Sequence, residues 1–261
     1  MNTDKITNLL DQETIKYLFS IFHNYKSEIR LVGGSIRDTL IDRDVKDIDS
    51  ATPLEPDEVL YLLKKHNIEY DDYALRYGSI IAYLNNKKIQ ITTLREDINQ
   101  LGRHTSVLYT KDWKKDAARR DFTFNALYLG IDQTVYDFYN GQKDLKEKKI
   151  KFIGEIEDRI KEDYLRIYRY FRFLGLFDQP DIDDTTQSFV EKYIHESLVV
   201  LTNDVIRQEV LKMFNMPFPL NCFFRSHDKF KWVEILKEHF IKTNYNLGLE
   251  KCLNRIDRII N

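Results

Sequence analysis

Cysteine is scarce in this chain. Cys222 and Cys252 are its two thiols, and they stand far apart without metal-type spacing. No disulfide framework can be read from them, so free thiols in a reducing compartment are the simple reading. No apolar run approaches the ~18 residues that a membrane-spanning helix needs. The opening residues, MNTDKITNLLDQE, lack the basic-then-apolar pattern of a secretory signal. An excess of positive charge is missing too: 40 Lys and Arg against 42 Asp and Glu give a net charge of −2. A nucleic-acid partner must therefore be met by a local basic face, because the molecule as a whole is not basic. With 31% charged residues and a mean hydropathy of −0.49, the chain reads as a soluble, cytoplasmic protein. Its 261 residues allow one large or two small domains.

What is present centres on RLVGGSIRDTLIDRDVKDIDSAT, from Arg30 to Thr52. The apolar run from Ile29 to Val32 reads as a buried strand. Gly33 and Gly34 follow, then a helix carrying Arg37 and Asp38, then a second short strand holding Asp47 and Asp49. Side chains at i and i+2 of a strand share a face, so the two carboxylates aim at one point, ~7 Å apart along the chain. Adjacent carboxylates repel unless a cation lies between them, and hard oxygen ligands suit Mg²⁺. The glycines let backbone N–H groups approach an anion at a helix start, with Arg37 one turn further on. An anion cradle beside metal carboxylates is the apparatus of a nucleoside triphosphate site.

Around this segment the periodicity predicts alternating helices and strands. Ile15, Leu18, Phe19 and Phe22 lie at helical spacing over 13–25. Thr52-Pro53-Leu54-Glu55 reads as a helix start with Pro at the first position, continuing through Leu60, Leu62 and Leu63 to His66. Ser79–Leu84 and Lys88–Thr93 read as strands joined at Asn85–Asn86. Residues 94–118 look rich in loops, with Gly102, Arg103 and His104 in the middle. Val135–Tyr139 reads as a strand ending at Asn140–Gly141. The lysines of 143–151 form a solvated helix face or a contact to nucleic-acid backbone. Beyond residue 180 the pattern is helical and aromatic.

Two further motifs carry chemistry. Arg119-Arg120-Asp121-Phe122-Thr123-Phe124-Asn125-Ala126 places two arginines beside an acid. Arg forks onto phosphate and Asp accepts from hydroxyls, which suits a triphosphate and a sugar. In EDYLRIYRYFRF, from Glu162 to Phe173, Asp163, Arg166, Arg169 and Arg172 fall on one slowly turning stripe of a helix. A solvated charge stripe is the default meaning of that spacing.

GG, then RD, then Asp-x-Asp, followed by RRDFTFNA and EDYLRIYRYFRF, resembles the class II tRNA nucleotidyltransferases and bacterial poly(A) polymerases. The likeness covers about residues 28–175 and fades afterwards. It implies an α/β nucleotidyltransferase head, a small mixed sheet with flanking helices, over 1–140, and an all-α neck and shortened body over 141–261. It further implies that Arg120 binds phosphate and Asp121 helps read the ribose. Asp163 and Arg166 would form an amino-acid template for C or A, and Arg169 and Arg172 would help hold the nucleotide. The implied reaction is addition of CCA to the 3′ end of tRNA from CTP and ATP with Mg²⁺, without an obligatory protein partner. An A-adding, C-adding or poly(A) polymerase activity shares the same motifs, and an inactive RNA-binding relic is the reading of a different class. The chain departs from the family at Gln90, where many relatives carry Glu, at Leu101, where they often have Asp, and at Phe124, where Ile is usual. His227–Asp228 resembles the HD pair of appended phosphohydrolase domains but lacks further ligands and reads as structural. The chain stops where longer relatives continue into body and tail helices, so the resemblance implies a reduced tRNA-holding surface.

Overall fold

The structure, a computed structural model, describes residues 3–45, 47–101, 104–226, 228–243 and 245. Gly102, Arg103, His227 and Cys252 lie outside the described residues. In the main the chain divides into one compact unit reaching Leu145 and another beginning at Lys146.

The first unit opens with helices α1 (Thr3–Leu10) and α2 (Glu13–Asn24), then strand β1 (Arg30–Val32), α3 (Gly34–Leu40) and β2 (Ile48–Thr52). Next come α4 (Pro56–Lys65), β3 (Glu69–Asp71), β4 (Ser79–Leu84) and β5 (Lys87–Thr93). β6 (Arg95–Leu101), β7 (His104–Tyr109), α5 (Trp113–Ala118), β8 (Leu127–Leu129), β9 (Val135–Asp137) and α6 (Gly141–Lys146) complete it. Seven strands form one sheet in the order β3-β4-β5-β2-β1-β8-β9. The β2–β5 pair is parallel and its neighbours are antiparallel, which is the mixed sheet expected.

The sheet has two unlike faces because its strands alternate. Ile48, Ile80, Ala82, Ile89, Ile91, Leu31 and Leu129 are buried on one face, in a single core with Leu18 and Phe22 of α2 and Leu62 and Leu63 of α4. Asp49 and Gln90 are register partners across β2 and β5 and point to the other face. That face also receives Val32 and Tyr128, partners across β1 and β8. The polar face is where chemistry can be placed.

Local sequence explains the connections. The β4–β5 turn is a two-residue loop in which Asn85 (φ 47°) and Asn86 (φ 61°) are both left-handed, as a tight hairpin demands. α4 starts three residues later than the sequence reading: Pro56, not Pro53, occupies the first position, and Glu58 reaches back to accept from the Glu55 N–H at 3.0 Å. The Pro-x-Glu pattern occurs twice in succession, and the second copy precedes the periodic Val59, Leu62 and Leu63. The stretch 94–118, read as loop-rich, instead holds the two-stranded β6–β7 sheet and α5. Its charged residues masked the strand alternation. Gly141 is required by close approach, since a Cβ there would meet the Thr123 carbonyl oxygen at 2.2 Å. This contact seats the start of α6 against the Thr123–Asn125 turn.

The second unit contains α7 (Ile156–Glu162), α8 (Leu165–Leu174), α9 (Asp184–Lys192), α10 (Ile194–Val200), α11 (Asn203–Met213), the short pair β10 (Phe224–Arg225) and β11 (Asp228–Lys229), and α12 (Lys231–Lys242). Tyr168, Phe171, Phe223, Phe230 and Trp232 pack edge-to-face or tilted in its interior. The single helix expected from Glu162 is interrupted. Asp163 has extended backbone (φ −150°, ψ 102°) between α7 and α8.

Candidate active site

In the first unit Gly33 ends β1 with φ 70° and ψ −122°, a conformation that L side chains rarely adopt, and its N–H donates to the Leu127 carbonyl at 3.1 Å. The chain turns directly into α3, which carries Arg37. The Arg37 guanidinium forks onto Asp38 through Nε and Nη2, at 2.9 and 3.0 Å. Its Nη1 donates to Asn125 Oδ1 at 2.7 Å. Asn125 Nδ2 in turn donates to Asp121 Oδ1 at 2.9 Å, an oxygen that also accepts the Phe122 N–H. Arg37 and Asp121, 84 positions apart in sequence, are thus joined through one amide.

Asp49 is half-buried on the polar face and Asp47 is exposed. β2 begins at Ile48, so Asp47 sits on the bend before the strand and not on it as expected. The pair is nevertheless electrostatically joined. Burial pushes the Asp49 carboxyl above its ordinary value, Arg120 opposes this, the charge of Asp47 adds to it, and Arg37 opposes it. Gly33 also adjoins Arg120, whose Nη1 would lie 3.5 Å from a Cβ added there. Asp47, Asp49, Gly33, Gly34, Arg37, Arg120 and Asp121 therefore gather on one side of one sheet.

Sequence reading missed the residue that organises the arginines. Asp116, on α5, is fully buried. Its Oδ1 accepts from Arg119 Nε at 2.9 Å and the Arg95 N–H at 3.2 Å. Its Oδ2 accepts from Tyr128 Oη at 2.7 Å and Arg120 Nη2 at 3.2 Å. The available signal was an acid three and four residues before the paired arginines on a helix. Burial alone would raise the Asp116 carboxyl, but Arg119, Arg120 and the Tyr128 hydroxyl outweigh it and bring it to about 2. A folded-state value below the unfolded one means that the stabilisation is present above the unfolded value and lost as pH falls toward the folded one. Between pH 5 and pH 3 this group should cost the fold about 1 kcal/mol. Asp116→Asn should flatten that part of the stability curve, measured by urea unfolding at each pH. An unchanged acid slope in the variant would contradict the assignment.

The second unit holds the remaining candidates. Asp163 caps its own junction, accepting the Leu165 N–H at 3.0 Å. Arg166 is buried and donates through Nη1 to the Arg159 carbonyl at 2.8 Å and to Glu162 Oε2 at 2.7 Å. Because of the break the two are not positions of one continuous helix, but the Arg166 N–H donates to the Asp163 carbonyl at 3.0 Å, so a turn still joins them. Arg169 and Arg172 both lower the carboxyl of Glu209, a buried group on α11 that burial would otherwise raise. Arg172 Nε pairs with that carboxylate directly, so the stripe of three arginines divides between two settings.

The mixed sheet thus carries the paired carboxylates, the glycine turn and the arginines on its open face. Residues 29–151 match the model of the poly A polymerase head domain. The mitochondrial CCA tRNA nucleotidyltransferase 1 of Homo sapiens is 42% identical over 174 residues, 66% of this chain and 40% of the relative. The CCA-adding enzyme of Lactobacillus gasseri is 32% identical over 222 residues, 84% of this chain and 54% of the relative. A CCA-adding enzyme solved in complex with ATP superposes with a TM-score of 0.73 at 25% identity, over 100% of this chain and 61% of its own. The Thermotoga maritima CCA-adding enzyme complexed with tRNA shares the fold with a TM-score of 0.71 at 24% identity, over 99% and 60% of the two chains. Over residues 29–151, and in part beyond them, the chain is similar to the class II tRNA nucleotidyltransferase and poly(A) polymerase family. It spans 40% and 54% of the length of the two curated relatives. No helix among the described residues is long and apolar enough to cross a membrane.

Proposed function

We propose that this chain is a template-independent nucleotidyltransferase that adds CCA to the 3′ end of tRNA from CTP and ATP, releasing pyrophosphate. The observation that carries the reading is the gathering of Asp47, Asp49, Arg37, Arg120 and Asp121 around the Gly33 turn. Enzymes of this family are generally metal-dependent, and the donor set here fits a hard divalent ion. The repulsion between Asp47 and Asp49 is what a cation would relieve, and no group of three or more His, Cys, Asp or Glu competes for it among the described residues. When bound, Mg²⁺ would activate the 3′-hydroxyl and neutralise charge on the departing pyrophosphate. Asp47 and Asp49 would hold it. Gly33, Gly34, Arg37 and Arg120 would meet the triphosphate, with Asn125 keeping Arg37 and Asp121 in register. Asp121 would accept from the ribose hydroxyl.

Base choice is assigned to the second unit. Asp163 would accept from the exocyclic amino group of C or A, and Arg166 would donate to the ring nitrogen beside it. Neither G nor U offers that order of donor and acceptor. The buried contacts of Arg166 to Glu162 and Arg159 favour this role, because a guanidinium used as a template must be held still. Arg169 and Arg172 would support the nucleotide through the same segment. Gln90, beside Asp49 in the register, can orient a ligand but cannot serve as a base, so Asp47 and Asp49 are the carboxylates assigned to the metal. A cytoplasmic setting is the companion proposal. The test is pyrophosphate release from CTP and ATP, which must require both a divalent cation and tRNA lacking its terminal CCA. Release that ignores the tRNA would contradict the proposal.

A further inference from the structure

The position of the phosphate-binding arginine is not set by its own stem. Arg120 Nη2 and Nε are gripped along one edge, the first by Asp116 Oδ2 at 3.2 Å and the second by Tyr128 Oη at 3.2 Å. Tyr128 Oη donates to the same Asp116 oxygen at 2.7 Å, closing a three-membered ring of contacts. Tyr128 is itself held on the polar face by Trp113, with ring centroids 5.3 Å apart. The opposite edge of the guanidinium, at Nη1, is turned toward Gly33 and the Asn125 carbonyl. The other oxygen of Asp116 holds Arg119 and the Arg95 N–H, so the carboxylate is fixed from both sides.

We propose that Asp116 is a positioning residue for nucleotide binding: with Tyr128 it aims Arg120 at the β- and γ-phosphates beside the Gly33 turn, without itself touching the nucleotide. The proposal rests on the triphosphate reading of this site. A buried carboxylate whose partners are four donors cannot also meet a phosphate, since two anions would repel. Its role is orientation, and orientation is worth most for the bidentate Arg–phosphate geometry. The contribution must therefore depend on the phosphates beyond the first.

The experiment measures equilibrium binding of CTP and CMP to the full chain with Mg²⁺, alongside the melting temperature. Asp116→Asn keeps the shape but removes the charge and turns an NH₂ toward donors. CTP affinity should fall about tenfold or more while CMP affinity stays within about twofold, so the preference for the triphosphate collapses. Tyr128→Phe removes one contact of the ring and should weaken CTP by about threefold with CMP unchanged, which tests the same idea if Asp116→Asn does not fold. Wild-type protein that binds CTP and CMP equally would overturn the proposal. So would a variant with a lowered melting temperature and an intact CTP-to-CMP ratio, because a merely structural role predicts that pattern. Neither readout requires transfer to tRNA. A chain that binds CTP as described but extends no tRNA would sink the functional reading and leave this inference standing.

Discussion

Asp49→Ala is expected to lower nucleotidyl transfer by about a thousandfold or more, because in the proposed site this carboxylate would hold the ion that stabilises both the attacking and the departing oxygen. The same change should leave the melting temperature unchanged or raise it. Burial holds the Asp49 carboxyl above its ordinary value despite Arg120 and Arg37, which means that the ionised group costs the fold stability near neutral pH. Loss of activity without loss of stability is the mark of a group kept for chemistry. Asp47→Ala should lose activity comparably, although Asp47 is exposed. Measured turnover with Mg²⁺ and thermal melts check both halves. Alanine variants with near-native turnover would show that the metal site lies elsewhere.

The second large effect concerns selectivity. Arg166→Ala should lower transfer of C and A while narrowing their advantage over U and G by roughly 10- to 100-fold, since a site that leaves buried polar groups unpaired rejects wrong partners at about 1–3 kcal/mol for each group. A stability cost of about 1–3 kcal/mol should accompany it, because the Arg159 carbonyl loses a donor in a buried place. Arg120→Ala is the control. A phosphate contact is blind to the base, so all four nucleotides should slow about equally. The measurement is kcat/KM for each nucleoside triphosphate on tRNA ending in CC. If Arg166→Ala slows all four in parallel, base selection belongs to other residues.

The head was legible because its motifs are local and its strands alternate. Ile29 to Val32, the Asn85–Asn86 turn and the glycine pair each carry a short-range signal that the three-dimensional arrangement keeps. Asp116 was not legible as an organiser because its partners converge from β6, from the residues that follow α5 and from β8, and an acid before two arginines also describes an ordinary solvated helix. The break at Asp163 escaped notice because the charge spacing continues at helical period across it. The extended backbone of Asp163 and the Leu165 N–H satisfied by the Asp163 side chain show that a new helix starts there. Likewise Arg172 looked like a surface residue of a stripe until its partner Glu209 arrived from α11, 37 residues away.

The most direct measurement offers the purified chain three tRNA substrates, ending before the first C, after C, and after CC, with each nucleoside triphosphate alone and with CTP and ATP together, and sequences the 3′ ends. The account predicts C on the first two, A on the third, completed CCA in the mixture, and neither U nor G anywhere. Runs of A on all three, C alone with no terminal A, or no extension in the presence of Mg²⁺ would each contradict it.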